Sequence, residues 1–109
     1  MKKIREIIVV EGRDDITAVR SAVEAQVVQT RGYSYGKKLI DSLQLAQKNR
    51  GVIVLTDPDY MGEKIRKDLA KRVPGIKHAF IATDLALKGE NIGVENAKPQ
   101  AILEALERA

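Results

Sequence analysis

The 109-residue chain has no cysteine and no tryptophan, and its one histidine is His78. The lack of cysteine excludes disulfide bonds, thiolate nucleophiles and Cys-based zinc sites, and one histidine cannot build a His-rich metal site. No apolar run approaches the roughly 20 residues that a membrane-spanning helix needs. Lys2 and Lys3 make the N-terminus basic, but Arg5 and Glu6 interrupt the apolar stretch that follows, unlike in a secretory signal. We therefore expect a cytoplasmic protein without a membrane partner.

Aromatic side chains are scarce as well, at 4% of residues, whereas charged side chains are abundant. Lys and Arg number 19 and Asp and Glu number 15, which gives a net charge of +4. A basic chain can bind nucleic acid, and with so few rings we expect contacts mainly to phosphate, with little base stacking. The length and the apolar fraction of 44% fit one domain over residues 1–109.

Patterns of buried strands and amphipathic helices alternate along the chain. Short apolar runs predict strands at residues 7–10, 26–30, 52–55 and 79–81. Helical spacing of apolar residues predicts a helix that begins near Asp14, helices over 36–49 and 61–73, and a last helix from Pro99 onward. We expect a loop over 83–98. The alternation predicts an α/β fold, a doubly wound, Rossmann-like, mainly parallel four-stranded sheet with helices on both faces.

Acidic side chains follow two of the predicted strands. Glu11 ends the first strand, and Asp57 and Asp59 end the third. In the strand order 2-1-3-4 these strands are neighbours, so the three carboxylates meet in a crevice where parallel sheets place their sites. Crowded carboxylates need a cation between them, and oxygen donors suit Mg²⁺ or Mn²⁺. The pattern predicts metal-assisted phosphodiester cleavage or phosphoryl transfer, with these three residues as metal ligands and catalytic residues.

A structural interpretation of the same acidic residues stays open beside the catalytic one. The segment from Asp57 to Asp59 is also ordinary turn and helix-cap chemistry. Asp15 is favourable in the first turn of a helix because of the helix dipole. Asp15 and Glu95 are nevertheless candidates for further acidic ligands in the predicted crevice.

Basic residues offer contacts for a phosphate backbone. Lys64, Lys67 and Lys71 form a stripe with helical spacing, which either guides a nucleic acid or faces solvent. The segment 32–38 resembles a phosphate-binding loop, but it is one residue short and lacks the Ser or Thr that binds Mg²⁺, so no nucleotide cofactor is expected. The full set of predicted RNA phosphate contacts is Arg13, Lys37, Lys38, Lys64, Lys67 and Lys71.

The acidic motifs resemble those of the Toprim domain, which primases, topoisomerases and some small nucleases share. These motifs are Glu11-Gly12 after one β-branched strand and Asp57-x-Asp59-x-x-Gly62 after another, and Asp15 matches a further acidic position. The closer resemblance is to the 5S rRNA maturation ribonucleases, over residues 8–15, 50–59, 62–67, 73–80 and 92–95. Two departures are the Asn after Glu95, where that family commonly has His, and the family's C-terminal RNA-binding half, which has no counterpart in these 109 residues.

The resemblance implies an endoribonuclease that uses two Mg²⁺ ions, with Mn²⁺ as a substitute, to trim both strands of a precursor 5S rRNA duplex. It also implies a partner, a large-subunit ribosomal protein that binds 5S rRNA. By position, Glu11 would bind one metal and transfer protons, Asp57 would bridge both metals and Asp59 would hold the second. Two alternatives are a receiver-like phospho-acceptor signalling domain, which has acids at similar strand ends, and a module that binds RNA or protein without turnover.

Overall fold

The computed structural model describes residues 1–81 and 93–109, in which four strands alternate with four helices. A short 3-10 helix, Val94–Asn96, precedes the last helix. The strands and helices in chain order are β1 (Ile7–Val10), α1 (Arg13–Ala22), β2 (Val27–Gln29), α2 (Lys37–Asn49), β3 (Val52–Leu55), α3 (Tyr60–Arg72), β4 (Lys77–Ala79) and α4 (Pro99–Glu107).

The four strands form one parallel sheet in the order β2-β1-β3-β4, as predicted. Ile8 of β1 lies opposite Val27 of β2 on one side and Ile53 of β3 on the other. Both central strands are buried along their whole length, which explains why β-branched residues fill them.

Helices cover both faces of the sheet, so the fold is a doubly wound α/β fold. On one face, α1 and α4 pack through Val19 and Ile102. On the other face, α2 and α3 pack through Leu43 and Leu69. None of the helices in residues 1–81 and 93–109 is long and apolar enough to cross a bilayer.

The strand predicted from the apolar run at 79–81 begins two residues earlier in the structure, at Lys77. The parallel ladder pairs Lys77 with Ile53 and ends where Ala79 pairs with Leu55, so β4 does not reach residue 81. The apolar run was misleading because Ile81 is buried beyond the end of its strand. The predicted loop over 83–98 lies outside the described residues as far as residue 92, and the 3-10 helix occupies part of the remainder.

Candidate metal-binding and catalytic site

An acidic cleft opens at the carboxyl ends of β1 and β3 and encloses about 600 Å³. The central strands deliver Glu11 and Asp57 to this edge, α1 contributes its first turn, and the 3-10 helix closes one side. The cleft is lined by Glu11, Gly12, Arg13, Asp14, Asp15, Asp57 and Glu95. Four of the five acidic residues proposed from the sequence therefore share one cleft.

Glu11 reaches across from β1 to the end of β3. Its Oε1 accepts a hydrogen bond from the backbone N–H of Asp57, with an N···O distance of 3.2 Å. This bond fixes the direction of the Glu11 carboxylate toward the neighbouring strand. The two acidic residues that follow the central strands are thus held together by a direct contact.

The Asp57 carboxylate is fixed from its other side by the segment before α4. Its Oδ1 accepts a hydrogen bond of 2.7 Å from the backbone N–H of Val94. A Cβ atom on Gly93 would lie 3.1 Å from the same oxygen, so the absence of a side chain permits this close approach. Neither contact was predictable from the sequence, because a backbone donor leaves no mark there, and Gly93 is the only signal of the close approach.

Asp59 caps α3. Its Oδ1 accepts a hydrogen bond of 2.7 Å from the N–H of Gly62, while the residue itself is exposed. Gly62 is required in this turn because a Cβ there would lie 2.1 Å from the carbonyl oxygen of Asp57. Oδ1 of Asp59 therefore acts as a helix cap, which is the structural interpretation that the sequence left open. Asp59 lies beside the residues that line the cleft.

Asp15 also has a structural contact within the cleft. Its Oδ2 accepts a hydrogen bond of 3.1 Å from the N–H of Gly12, and the side chain is buried at the start of α1. Burial raises the pKa of Asp15, the bond from Gly12 opposes that rise, and the nearby charges of Asp57 and Glu95 add to it.

The pKa of Glu11 is raised for the same reasons. Burial is the largest cause, and the hydrogen bond from the Asp57 N–H opposes it. The negative charges of Asp57, Asp59 and Asp15 raise the pKa further. These carboxylates are close enough to repel one another, and a cation in the cleft would relieve that repulsion.

Carboxylate oxygens are suitable ligands for a hard divalent cation, and the concentration of negative charge in the cleft favours binding of such an ion. No three His, Cys, Asp or Glu side chains are arranged to hold a metal ion in the parts of the chain that the structure describes. One oxygen each of Glu11, Asp57 and Asp59 already accepts a backbone hydrogen bond, which accounts for their present orientations. The structure thus brings Glu11 and Asp57 together, whereas Asp59 turns toward α3.

Of the basic residues proposed to touch phosphate, Arg13 lines the cleft. Lys37 forms a 2.7 Å ion pair with Asp41 on α2, and Lys64 lies over the ring of Tyr33. Lys38, Lys67 and Lys71 are exposed.

Arg66 supports the site from inside the fold and was not identified as a site residue from the sequence. It is 3% exposed, and its guanidinium donates to the carbonyl oxygens of Val54, Thr56 and Ala79. It therefore links the carboxyl ends of β3 and β4 directly before Asp57. The available signal was its position four residues after Gly62, on the buried face of α3.

The family model of the Toprim domain matches residues 6–83, which include the Glu11 and Asp57 ends of the two central strands. The chain belongs to the Toprim domain family, which confirms the resemblance and favours this class over a receiver-like signalling domain. A solved structure, the small TOPRIM domain protein from Bacillus stearothermophilus, shares the fold with a TM-score of 0.77 at 24% identity. The match covers 99% of this chain and 90% of that chain.

Among curated proteins the chain is similar to Ribonuclease M5 from several bacteria. It is 56% identical to the Clostridium botulinum protein over 106 residues, which are 97% of this chain and 59% of the relative. It is 53% identical to the Bacillus subtilis protein over 108 residues, which are 96% of this chain and 58% of the relative. The chain thus spans about three fifths of the length of these relatives.

Proposed function

We propose that residues 1–109 form the Toprim-like catalytic domain of a divalent-metal-dependent endoribonuclease that cleaves double-stranded precursor 5S rRNA. The observation that carries this proposal is the contact between Glu11 and Asp57 in an acidic cleft at adjacent strand ends. The similarity to Ribonuclease M5 supports RNA as the substrate. The proposal includes two Mg²⁺ ions replaceable by Mn²⁺, a 5S-rRNA-binding ribosomal protein as partner, and a cytoplasmic location.

Glu11, Asp57 and Asp59 would hold the metal, with Asp15 and Glu95 adding negative charge in or beside the cleft. When bound, Mg²⁺ supplies Lewis-acid stabilisation of charge that develops on phosphate oxygens. Because burial raises the pKa of Glu11, this carboxylate is suited to accept and return a proton. The Asp57 N–H orients the Glu11 carboxylate, and the Val94 N–H orients that of Asp57. These fixed orientations reduce the reorganisation needed during the reaction.

The predicted phosphate contacts would guide the substrate. Arg13 stands at the cleft itself, where a guanidinium can hold a phosphate with two hydrogen bonds. The exposed lysines of α2 and α3 would contact the backbone farther from the reacting bond, through charge alone. We therefore expect neutralisation of Arg13 to affect turnover, and neutralisation of the distant lysines to affect binding.

A cleavage assay with end-labelled precursor duplex tests the proposal, using this chain alone in Mg²⁺ or in EDTA. We expect cleavage only with the metal. Asp57→Ala should keep the wild-type circular dichroism spectrum and lose at least a hundredfold in rate. Glu11→Gln should still bind Mn²⁺ in calorimetry, more weakly than wild type, and lose about a hundredfold in turnover because its proton transfer is removed.

The control variant is Glu24→Gln. It removes the charge of an exposed carboxylate just before β2, at the end of the sheet opposite the cleft. It should cleave at the wild-type rate. Cleavage by Asp57→Ala at that rate would remove Asp57 from the site, and unchanged turnover in Glu11→Gln would remove Glu11 from the mechanism. Full activity in EDTA would contradict the metal dependence.

A further inference from the structure

The few aromatic residues of this protein lie at or near its surface. All four lie in the described part of the chain and none of them is buried, although burial of a ring is a large source of stability. Tyr60 is 80% exposed, Phe80 58% and Tyr33 37%, while Tyr35 is half-buried. Tyr35 packs against the core beneath α2 and α3, but core packing does not explain the positions of Tyr33 and Tyr60.

Tyr60 belongs to a regular face of α3 that points away from the sheet. Tyr60, Lys64, Lys67 and Lys71 recur at intervals of four, three and four residues, so they lie along one line of the helix. All four are exposed, and the opposite face of the helix contributes its apolar side chains to the core. The line thus starts with one ring and continues with three positive charges.

The loop between β2 and α2 adds a second ring to this face. The Lys64 Nζ lies 4.4 Å from the centroid of the Tyr33 ring, a cation–π contact. Tyr33 in turn meets Tyr35 edge to face, with 5.8 Å between ring centroids, and the Tyr35 hydroxyl donates to the Asp68 carboxylate of α3. These contacts hold the loop against α3. We call the surface formed by Tyr33, Tyr60, Lys64, Lys67 and Lys71 the aromatic–basic strip.

The aromatic–basic strip begins at the acidic cleft. Tyr60 directly follows Asp59, whose carboxylate caps the same helix, and Asp57 lies two residues before that. A nucleic acid with a phosphodiester bond in the cleft would reach the strip with its neighbouring nucleotides. Exposed rings interleaved with lysines are the surface on which unpaired bases stack while their phosphates are neutralised.

We propose that the aromatic–basic strip binds an unpaired RNA segment next to the cleaved duplex, with Tyr60 stacking on a base and the lysines contacting phosphates. The identity of the nucleic acid as RNA rests on the proposed function. A paired base offers no free face within a duplex, so the exposed rings select single-stranded nucleotides. This assignment departs from the expectation, drawn from the low aromatic content, that base stacking contributes little.

Binding without cleavage tests this inference in EDTA, by fluorescence anisotropy of labelled RNA. The two probes are a blunt duplex and the same duplex with five unpaired nucleotides. We expect the wild-type protein to bind the extended duplex at least fivefold more tightly, the least that one stacked base gives. Tyr60→Ala should lose this preference and Tyr60→Phe should keep it. Lys64→Ala should weaken binding of the extended probe more than binding of the blunt duplex, and should reduce the salt slope for the extended probe by about one.

Leu45→Ala is the matched control, because Leu45 is also a large exposed apolar side chain, at 62%, and lies on a different helix, α2. It should bind both probes as wild type does. Equal affinity of the wild type for both probes, or a preference that survives Tyr60→Ala, would overturn the inference. Self-association in sedimentation that Tyr60→Ala abolishes would also overturn it and would assign the strip to a second copy of the chain.

The outcome is separable from that of the proposed function. Cleavage of the blunt duplex in Mg²⁺ with no preference for the extended probe would refute the strip alone. Loss of cleavage activity with the preference intact would refute the nuclease proposal alone. The chain has no tryptophan and three tyrosines, so tyrosine fluorescence gives a second measurement. The extended probe should quench it in the wild type, and less in Tyr60→Phe.

Discussion

The negative charges of individual carboxylates in the acidic cleft lower the stability of the metal-free fold. Glu11 is half-buried and Asp15 is buried, and both lie near the negative charge of Asp57. Each charged group therefore lowers the stability of the metal-free fold, although each also accepts a backbone hydrogen bond. The same concentration of negative charge that lowers the stability of the fold also attracts a cation to the cleft.

The pH dependence of stability should report the buried charge of Asp15. Its folded pKa is raised above the ordinary value of 3.8, so the folded state holds the proton to higher pH than the unfolded state does. The free energy of unfolding of the metal-free protein should therefore fall as pH rises from about 4 through the folded pKa. Asp15→Asn should be more stable than wild type at pH 7 and similar at pH 3, as measured by urea unfolding.

Asp14→Asn is the control for this experiment, since Asp14 occupies the same helical turn and is exposed. It should follow the wild-type curve. A wild-type pH slope in Asp15→Asn would show that the Asp15 charge does not oppose folding.

At the scale of residues, the acidic side chains were predictable from the sequence, whereas the groups that support them were not. Carboxylates that follow two neighbouring buried strands were a usable signal, because the strand order brings those strand ends together. The contacts of Val94 and Arg66 were missed for different reasons. Val94 acts through its backbone, and Arg66 was hidden among the exposed basic residues of the same helix.

The ends of β3 and β4 depend on one buried guanidinium. Arg66 donates hydrogen bonds to three backbone carbonyl oxygens. Its guanidinium carbon lies 4.1 Å from the centroid of the Phe80 ring. Arg66→Met would leave those acceptors without their donor inside the fold, and we expect a loss of about 3 kcal/mol in urea unfolding. Lys67→Met changes the exposed neighbour and should stay within about 0.5 kcal/mol. Equal stability of both variants would contradict the role of Arg66.

The turn between β3 and α3 depends on Gly62. A methyl group there would meet the Asp57 carbonyl oxygen at 2.1 Å, so either the turn or the helix must move. We expect Gly62→Ala to cost about 3 kcal/mol in urea unfolding and to displace Asp57 from the cleft. Gly36→Ala is the matched control because nothing lies within 4 Å of its added Cβ. A stable Gly62→Ala variant with full Mn²⁺ affinity would show that the turn can relax.

At the scale of the whole molecule, the strand order was predictable and the closure of the cleft was not. Four apolar runs separated by helical patterns leave few parallel arrangements, and right-handed crossovers favour the observed one. The contact of Val94 with Asp57 joins residues 37 positions apart, and no periodicity specifies it. The last strand was misplaced because an apolar run shows burial without showing where a ladder ends.

The whole fold should respond to the ion that the acidic cleft is proposed to hold. A ligand that binds only the folded state, present at ten times its Kd, adds about 1.4 kcal/mol, which raises the Tm of a domain this size by about 6 °C. We expect Mg²⁺ to raise the Tm of the wild type and of Glu24→Gln by this amount, relative to NaCl of equal ionic strength. Asp57→Asn should start with a higher Tm without metal, because it removes one charge from the cleft, and should gain nothing from Mg²⁺. An equal Mg²⁺ shift in Asp57→Asn would place the ion elsewhere in the molecule.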